Sequence, residues 1–224
     1  MKTILLWDID GTLITTNGIG APVLENSTSK YIGKPVKINR FFVSGMTDFE
    51  IVNFLSKEHN IMLSTAEVEF IVNEYANNLV DIYNANPPVV NKNIEKILTR
   101  VSESRVLVNS IASGNCEIGG KIKLESCNLL RFFQNQENFF ATSSNPTRLQ
   151  IIGKAKKFSE TYEHALVIGD SPRDIYCAQQ NNLPVLAIDY GMHSKSDLAS
   201  SNPTHILYDD WSVQDFFNIL ANYN

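Results

Sequence analysis

Residues 3–12 read Thr3-Ile4-Leu5-Leu6-Trp7-Asp8-Ile9-Asp10-Gly11-Thr12. Five residues that favour a pleated, buried setting run straight into two aspartates and a glycine. An apolar run without alternation is the pattern of a strand covered on both faces, as in a parallel sheet sandwiched by helices. Carboxylates at i and i+2 leave such a strand on the same side. In open α/β sheets ligands gather outside the carboxyl ends of the strands, so Asp8 and Asp10 form the first candidate functional pair. Asp and Gly also serve plain turns, but four specified residues in this order recur by chance with odds on the order of one in a thousand.

Working outward, short β-rich runs alternate with helical segments. Further strands are expected at Arg105-Val106-Leu107-Val108, Asn138-Phe139-Phe140-Ala141, Ala165-Leu166-Val167-Ile168 and Pro184-Val185-Leu186-Ala187-Ile188. Ile94, Ile97, Leu98 and Val101 keep helical spacing between them, and Ile122, Leu124 and Leu129-Leu130 do so more weakly. This alternation predicts an α/β fold with a three-layer, Rossmann-like parallel sheet.

The stretch from Leu13 to Asn91 breaks the rhythm, offering helices without convincing strands. Ser64-Thr65-Ala66-Glu67 is a capping box, and Val68, Ile71, Tyr75, Leu79 and Ile82 then trace one apolar face. An earlier helix opens near Thr47-Asp48, and Asn86-Pro87-Pro88 closes the segment. The expectation is an inserted all-α domain over 15–89, with the core formed by 1–14 and 90–224.

Composition narrows the function classes. The chain has 224 residues, 43% hydrophobic and 19% charged, enough to bury a sizeable core. Nineteen Lys and Arg against 24 Asp and Glu give a net charge of −5 without a basic run, so no nucleic-acid partner is expected. Ile4 to Trp7 is too short for a signal peptide's apolar stretch, and no segment approaches a membrane span; a cytoplasmic protein is expected. Cys116, Cys127 and Cys177 form no CxxC pair, which suggests neither a disulfide framework nor a structural zinc site. His59, His164, His193 and His205 lack metal spacing, and the sequon Asn26-Ser27-Thr28 has no secretory context.

A second acidic pair follows a later strand, in Gly169-Asp170-Ser171-Pro172-Arg173-Asp174. Alone it is a weak signal, since Asp170 and Asp174 also suit a helix start and a solvated helix face. Together with Asp8 and Asp10, four carboxylates converging on one sheet edge would repel one another unless a cation sat among them, and hard oxygen ligands suit Mg²⁺.

On these motifs the chain resembles the haloacid dehalogenase-like hydrolase superfamily, in the branch similar to phosphoglycolate phosphatases and phosphoglucomutases with a helical cap after the first motif. The resemblance implies that Asp8 attacks phosphorus to give an aspartyl-phosphate, with Asp10 as acid and then base. It implies Mg²⁺ on the Asp8 carboxylate, the Asp10 backbone carbonyl and Asp170, with Asp174 as ligand or just behind. The second motif falls on Ile111-Ala112-Ser113-Gly114-Asn115, so that Ser113 and the Gly114 N–H hold phosphoryl oxygens. In the third, relatives carry Lys-Pro where this chain has Ala141-Thr142-Ser143-Ser144-Asn145-Pro146-Thr147-Arg148; Arg148 is the expected phosphate-binding cation, with Lys154 as the alternative. Ser44-Gly45-Met46-Thr47-Asp48 matches a substrate-facing loop of relatives, although Thr47 and Asp48 equally suit a helix cap.

The implied activity is Mg²⁺-dependent hydrolysis of a small phosphorylated metabolite, by a monomer unless a dimer forms. A phosphosugar mutase would use the same two aspartates; the absent Lys-Pro tilts the reading to a phosphatase. A dehalogenase needs neither Asp10 nor a metal. A phospho-accepting signalling domain would place its acceptor on a middle strand and lack the insertion, while a phospho-ligand-binding protein without activity would not need every carboxylate.

Overall fold

The computed structural model describes residues 2–208 and 210–223. Strand β1 (Thr3–Trp7) leads through β2 (Ile14–Thr15) into four helices, α1 (Gly20–Ile32), α2 (Arg40–Val43), α3 (Asp48–Glu58) and α4 (Thr65–Ala85), and the chain returns at β3 (Val89–Val90). After α5 (Ile94–Ser102) come β4 (Leu107–Cys116), α6 (Glu117–Ser126), β5 (Phe139–Ala141), α7 (Arg148–Ser159), β6 (His164–Gly169), α8 (Pro172–Gln180), β7 (Val185–Ile188), α9 (Lys195–Ser200), β8 (His205–Leu207) and α10 (Val213–Leu220).

Six strands form one parallel sheet in the order β5-β4-β1-β6-β7-β8. β1 is central, paired to β4 with Trp7 opposite Ile111 and to β6 with Trp7 opposite Ile168. The chain fills the β4 side first and then crosses to β6, which makes the carboxyl end of β1 the topological switch point where such sheets bind ligands. Alternation along β1 feeds both layers: Ile4 and Leu6 join one buried cluster, Leu5 and Trp7 the other. Trp7 stacks on Phe216 with ring centroids 5.6 Å apart. The first cluster runs on without a break into the helices between β2 and β3, through residues such as Val52, Val72 and Leu79.

The capping box at Ser64 opens α4, whose buried positions include Val68, Ile71, Tyr75 and Leu79, as its spacing predicts. Five features differ from expectation. β4 starts two residues later than the apolar run and extends ten residues, so Ser113 lies inside the strand and not beyond it. Small and polar Ala112 to Asn115 carry no β signal; pairing with β5 holds them, across a register irregularity between Ala112 and Cys116. The insertion is bounded by a two-residue antiparallel ribbon, Ile14 opposite Val90 and Thr15 opposite Val89, too short to show in the sequence. α1 also went unread, as did β8, with three residues. Leu129-Leu130 fall after α6, at a 3-10 turn. The sequon lies within α1 with Ser27 and Thr28 buried. Among the described residues, no helix is long and apolar enough to cross a membrane.

Candidate active site

The parallel register brings the ends of β1, β4 and β6 to one edge. Asp8 follows β1 directly and its N–H donates to the Ile168 carbonyl at 2.9 Å. Gly11 turns the chain there with φ +82°, and a Cβ at this position would stand 2.1 Å from the Asp170 carboxylate, so only glycine fits. The Thr12 hydroxyl donates to Asp170 Oδ1 at 3.2 Å. Ser171 caps α8, its hydroxyl donating to Asp174 Oδ2 at 2.6 Å while Pro172 occupies the first turn. Asp174 is therefore no solvated face residue; it is fully buried.

Asp8, Asp170 and Asp174 each offer an oxygen within 4.8 Å of the others'. Burial, opposed by Arg148 and reinforced by Asp174 and Asp10, pushes the Asp8 carboxyl up to about 6. Burial and the neighbouring Asp174 and Asp8 charges hold Asp170 well above the usual carboxylate range. Three buried, crowded carboxyl groups are a donor set that suits a hard divalent cation.

Arg148 heads α7 and is only 2% exposed. Its Nη1 stands 3.0 Å from Asp8 Oδ1 and its Nη2 2.7 Å from Asp174 Oδ1. Neither contact is aligned as a hydrogen bond, and Nε, Nη1 and Nη2 are all buried donors without an acceptor. Burial works against this guanidinium's charge, but Asp8 and Asp174 outweigh it. Lys154, the sequence alternative, lies on the exposed side of α7.

Asp10 does not join the other three carboxylates. Its Oδ2 accepts from Lys123 Nζ at 2.6 Å and from Asn115 Nδ2 at 2.7 Å, while Oδ1 is buried with no partner. The convergence of four carboxylates expected from sequence is thus a cluster of three plus a separately paired fourth. A buried lysine drew Asp10 away, an interaction spanning 113 residues of chain. Burial opposes the Lys123 charge, but Asp10, Tyr75, Tyr83 and Asp48 together raise its pKa well above the ordinary value.

Ser113 is fully buried, its hydroxyl accepting from Asn115 Nδ2 at 3.0 Å. At Gly114 a Cβ would meet the Met46 carbonyl oxygen at 2.8 Å, so glycine lets the loop before α3 settle on the end of β4. That loop is tied down at several points. Thr47 caps α3 and also donates its hydroxyl to the Pro146 carbonyl. Asp48 Oδ2 accepts from the Cys116 N–H at 2.8 Å. Ser44 Oγ and His193 Nε2 lie 2.8 Å apart, and Arg173 faces Glu50 at 3.7 Å. A cavity of about 560 Å³ lies between this loop and the sheet edge, reached by Asp8, Asp10, Ser113, Gly114, Lys123, Arg148 and Asp170.

Lys123 and the role of Asn115 were missed from sequence. The signal available was modest: Gly119, Gly120 and Lys123 share the inward side of α6, so a lysine stands where the helix has least bulk.

A family model described as haloacid dehalogenase-like hydrolase matches residues 5–188. The pyrophosphatase PpaX of Oceanobacillus iheyensis is 22% identical over 230 residues, covering 97% of this chain and 96% of that protein. A hydrolase from Pseudomonas syringae superposes with a TM-score of 0.73 at 15% identity, covering 98% of this chain and 99% of that one. A predicted phosphoglycolate phosphatase from Haemophilus somnus does so with a TM-score of 0.64 at 17% identity, covering 98% and 97%. With four-fifths of its length matched and its fold shared, the chain belongs to the haloacid dehalogenase-like hydrolases.

Proposed function

We propose that the protein is a Mg²⁺-dependent phosphatase that hydrolyses a small phosphomonoester through an aspartyl-phosphate on Asp8. The observation that carries this is the Arg148 guanidinium, buried beside Asp8 with three donors lacking acceptors. A buried donor left unsatisfied costs free energy, and the oxygens of a phosphoryl group approaching Asp8 match that fork. Ser113 and the Gly114 N–H supply further donors at the neighbouring strand end.

In this reading an Asp8 carboxylate oxygen attacks phosphorus while the bond to the leaving oxygen breaks, and Asp10 gives that oxygen its proton. Water then attacks phosphorus, Asp10 takes the water's proton, and the bond to Asp8 breaks to release inorganic phosphate. Asp8, Asp170 and Asp174 are the side chains that would hold Mg²⁺, with the Asp10 carbonyl as a further oxygen. When bound, the ion neutralises charge on the transferring group. The helices of 15–89 form the cap over a core of 1–14 and 90–224, and their loop at 44–48 closes the site from water.

The test is phosphate release from a panel of phosphorylated metabolites, beginning with pyrophosphate and phosphoglycolate because of the relatives' names, with p-nitrophenyl phosphate as a generic ester. Mg²⁺-dependent release lost in Asp8→Asn supports the reading. No release from any ester, with Mg²⁺ present, contradicts it.

A further inference from the structure

Lys123 has no role in the mechanism above, yet it is 4% exposed and turned towards the reacting edge. Its ammonium contacts Asp10 Oδ2 at 2.6 Å and Asn115 Oδ1 at 2.5 Å, and Asn115 in turn donates to the same Asp10 oxygen at 2.7 Å. The three groups close a ring of short, aligned contacts around one oxygen of one carboxylate. Asp10 itself is 38% exposed in its side chain, against 5% for the lysine that holds it. The other carboxyl oxygen, Oδ1, is buried and has no hydrogen-bond partner.

We infer that Lys123 is a positioning residue: with Asn115 it clamps Asp10 Oδ2, fixing the orientation in which the carboxyl meets the leaving oxygen and later the water. The inference rests on the phosphatase reading. A carboxyl held by one oxygen loses the rotation that would otherwise exchange its two oxygens. Proton transfer in the transition state depends on such fixed geometry. The Asn115 amide also touches Ser113, so the clamp ties the acid to the strand end expected to hold phosphoryl oxygens.

The experiment compares p-nitrophenyl phosphate, whose leaving group departs without a proton, with phenyl phosphate, whose leaving group is more basic and needs one. A purely structural role for Lys123 lowers kcat on both esters alike. A positioning role in Lys123→Met lowers kcat on phenyl phosphate about tenfold more than on p-nitrophenyl phosphate, within the range general acids contribute. Lys123→Arg, which keeps the charge against Asp10, gives a ratio between the parent and Lys123→Met, and it serves as the test if the Met variant does not fold. In an Asp10→Asn background, adding Lys123→Met produces little further loss, because the residue acts through Asp10. Equal losses on both esters, or full additivity with Asp10→Asn, overturn the inference while leaving the phosphatase reading intact. A parent protein inactive on both esters overturns the reading itself and the inference with it.

Discussion

Two buried cations flank the end of β1, and they are bonded in opposite ways. Arg148 lies between Asp8 and Asp174 at ion-pair distance with its donors unaligned. Lys123 lies against Asp10 and Asn115 in short, aligned contacts. A cation whose donors are unaligned is fit to receive an anion; one whose donors are committed to neighbouring side chains is fit to hold them still. The pairs therefore divide the edge into a receiving side, with three carboxylates and Arg148, and a held side, with the acid and its clamp.

The sharpest contrast comes from removing one carboxylate on each side. Asp8→Asn is expected to lower phosphate release by about 10⁴ or more, since it deletes the proposed nucleophile. Asp10→Asn slows both half reactions and is expected to fall by about 10²–10⁴. Equal, small losses would dissolve the division of labour. Steady-state phosphate release measures both.

Next in size is Arg148→Met. It removes the donors proposed to face the phosphoryl group, with an expected loss of about 10²–10³ in kcat/KM. It also strands Asp8 and Asp174, and removing one partner of a buried ion pair costs about 3–5 kcal/mol, read from denaturant unfolding. Unchanged stability in this variant would mean that the guanidinium is not holding those carboxylates.

Divalent cation separates the sides without mutation. Asp8 titrates near 6 in the folded chain against 3.8 in an ordinary carboxyl, because burial favours the protonated form. A carboxyl that binds its proton more tightly when folded takes stability away as pH rises from 3.8 through about 6, and the whole penalty is present above that. A cation that binds the ionised cluster competes with those protons. Adding Mg²⁺ is therefore expected to raise Tm more at about pH 7.5 than at about pH 5, and saturation at 100 times Kd corresponds to about 2.7 kcal/mol. Asp170→Asn should abolish most of that rise. The smallest effect belongs to the loop over the site: Ser44→Ala removes the contact to His193 and is expected to cost about 1 kcal/mol, with a change in KM larger than that in kcat.

The same contrast explains what the sequence disclosed. Asp8, Asp170 and Asp174 follow strand ends closely, where a run of β-rich residues followed by Asp marks the position within a few residues. Arg148 was legible as the nearest cation in the third-motif stretch Ala141 to Arg148, where relatives carry Lys-Pro. Lys123 was not, since a lysine in a helix reads as solvated unless the partner that buries it is known, and that partner lies 113 residues away. Likewise β4 outruns its apolar signal because pairing with β5, and not local propensity, carries it across Ala112 to Cys116. β8 has three residues, too few for any period to register.

The claim on which everything else depends is that Asp8 becomes phosphorylated. The most direct measurement is an acid-quenched single turnover of the Asp10→Asn variant, in which the second half reaction is slowed, followed by mass analysis of the peptide spanning Asp8. The expected result is one added phosphoryl group on Asp8 that forms and decays with turnover and never appears when Asp8 is also replaced by Asn. Turnover with no phosphoryl group on that peptide at any time, or with the group on another residue, would contradict the account.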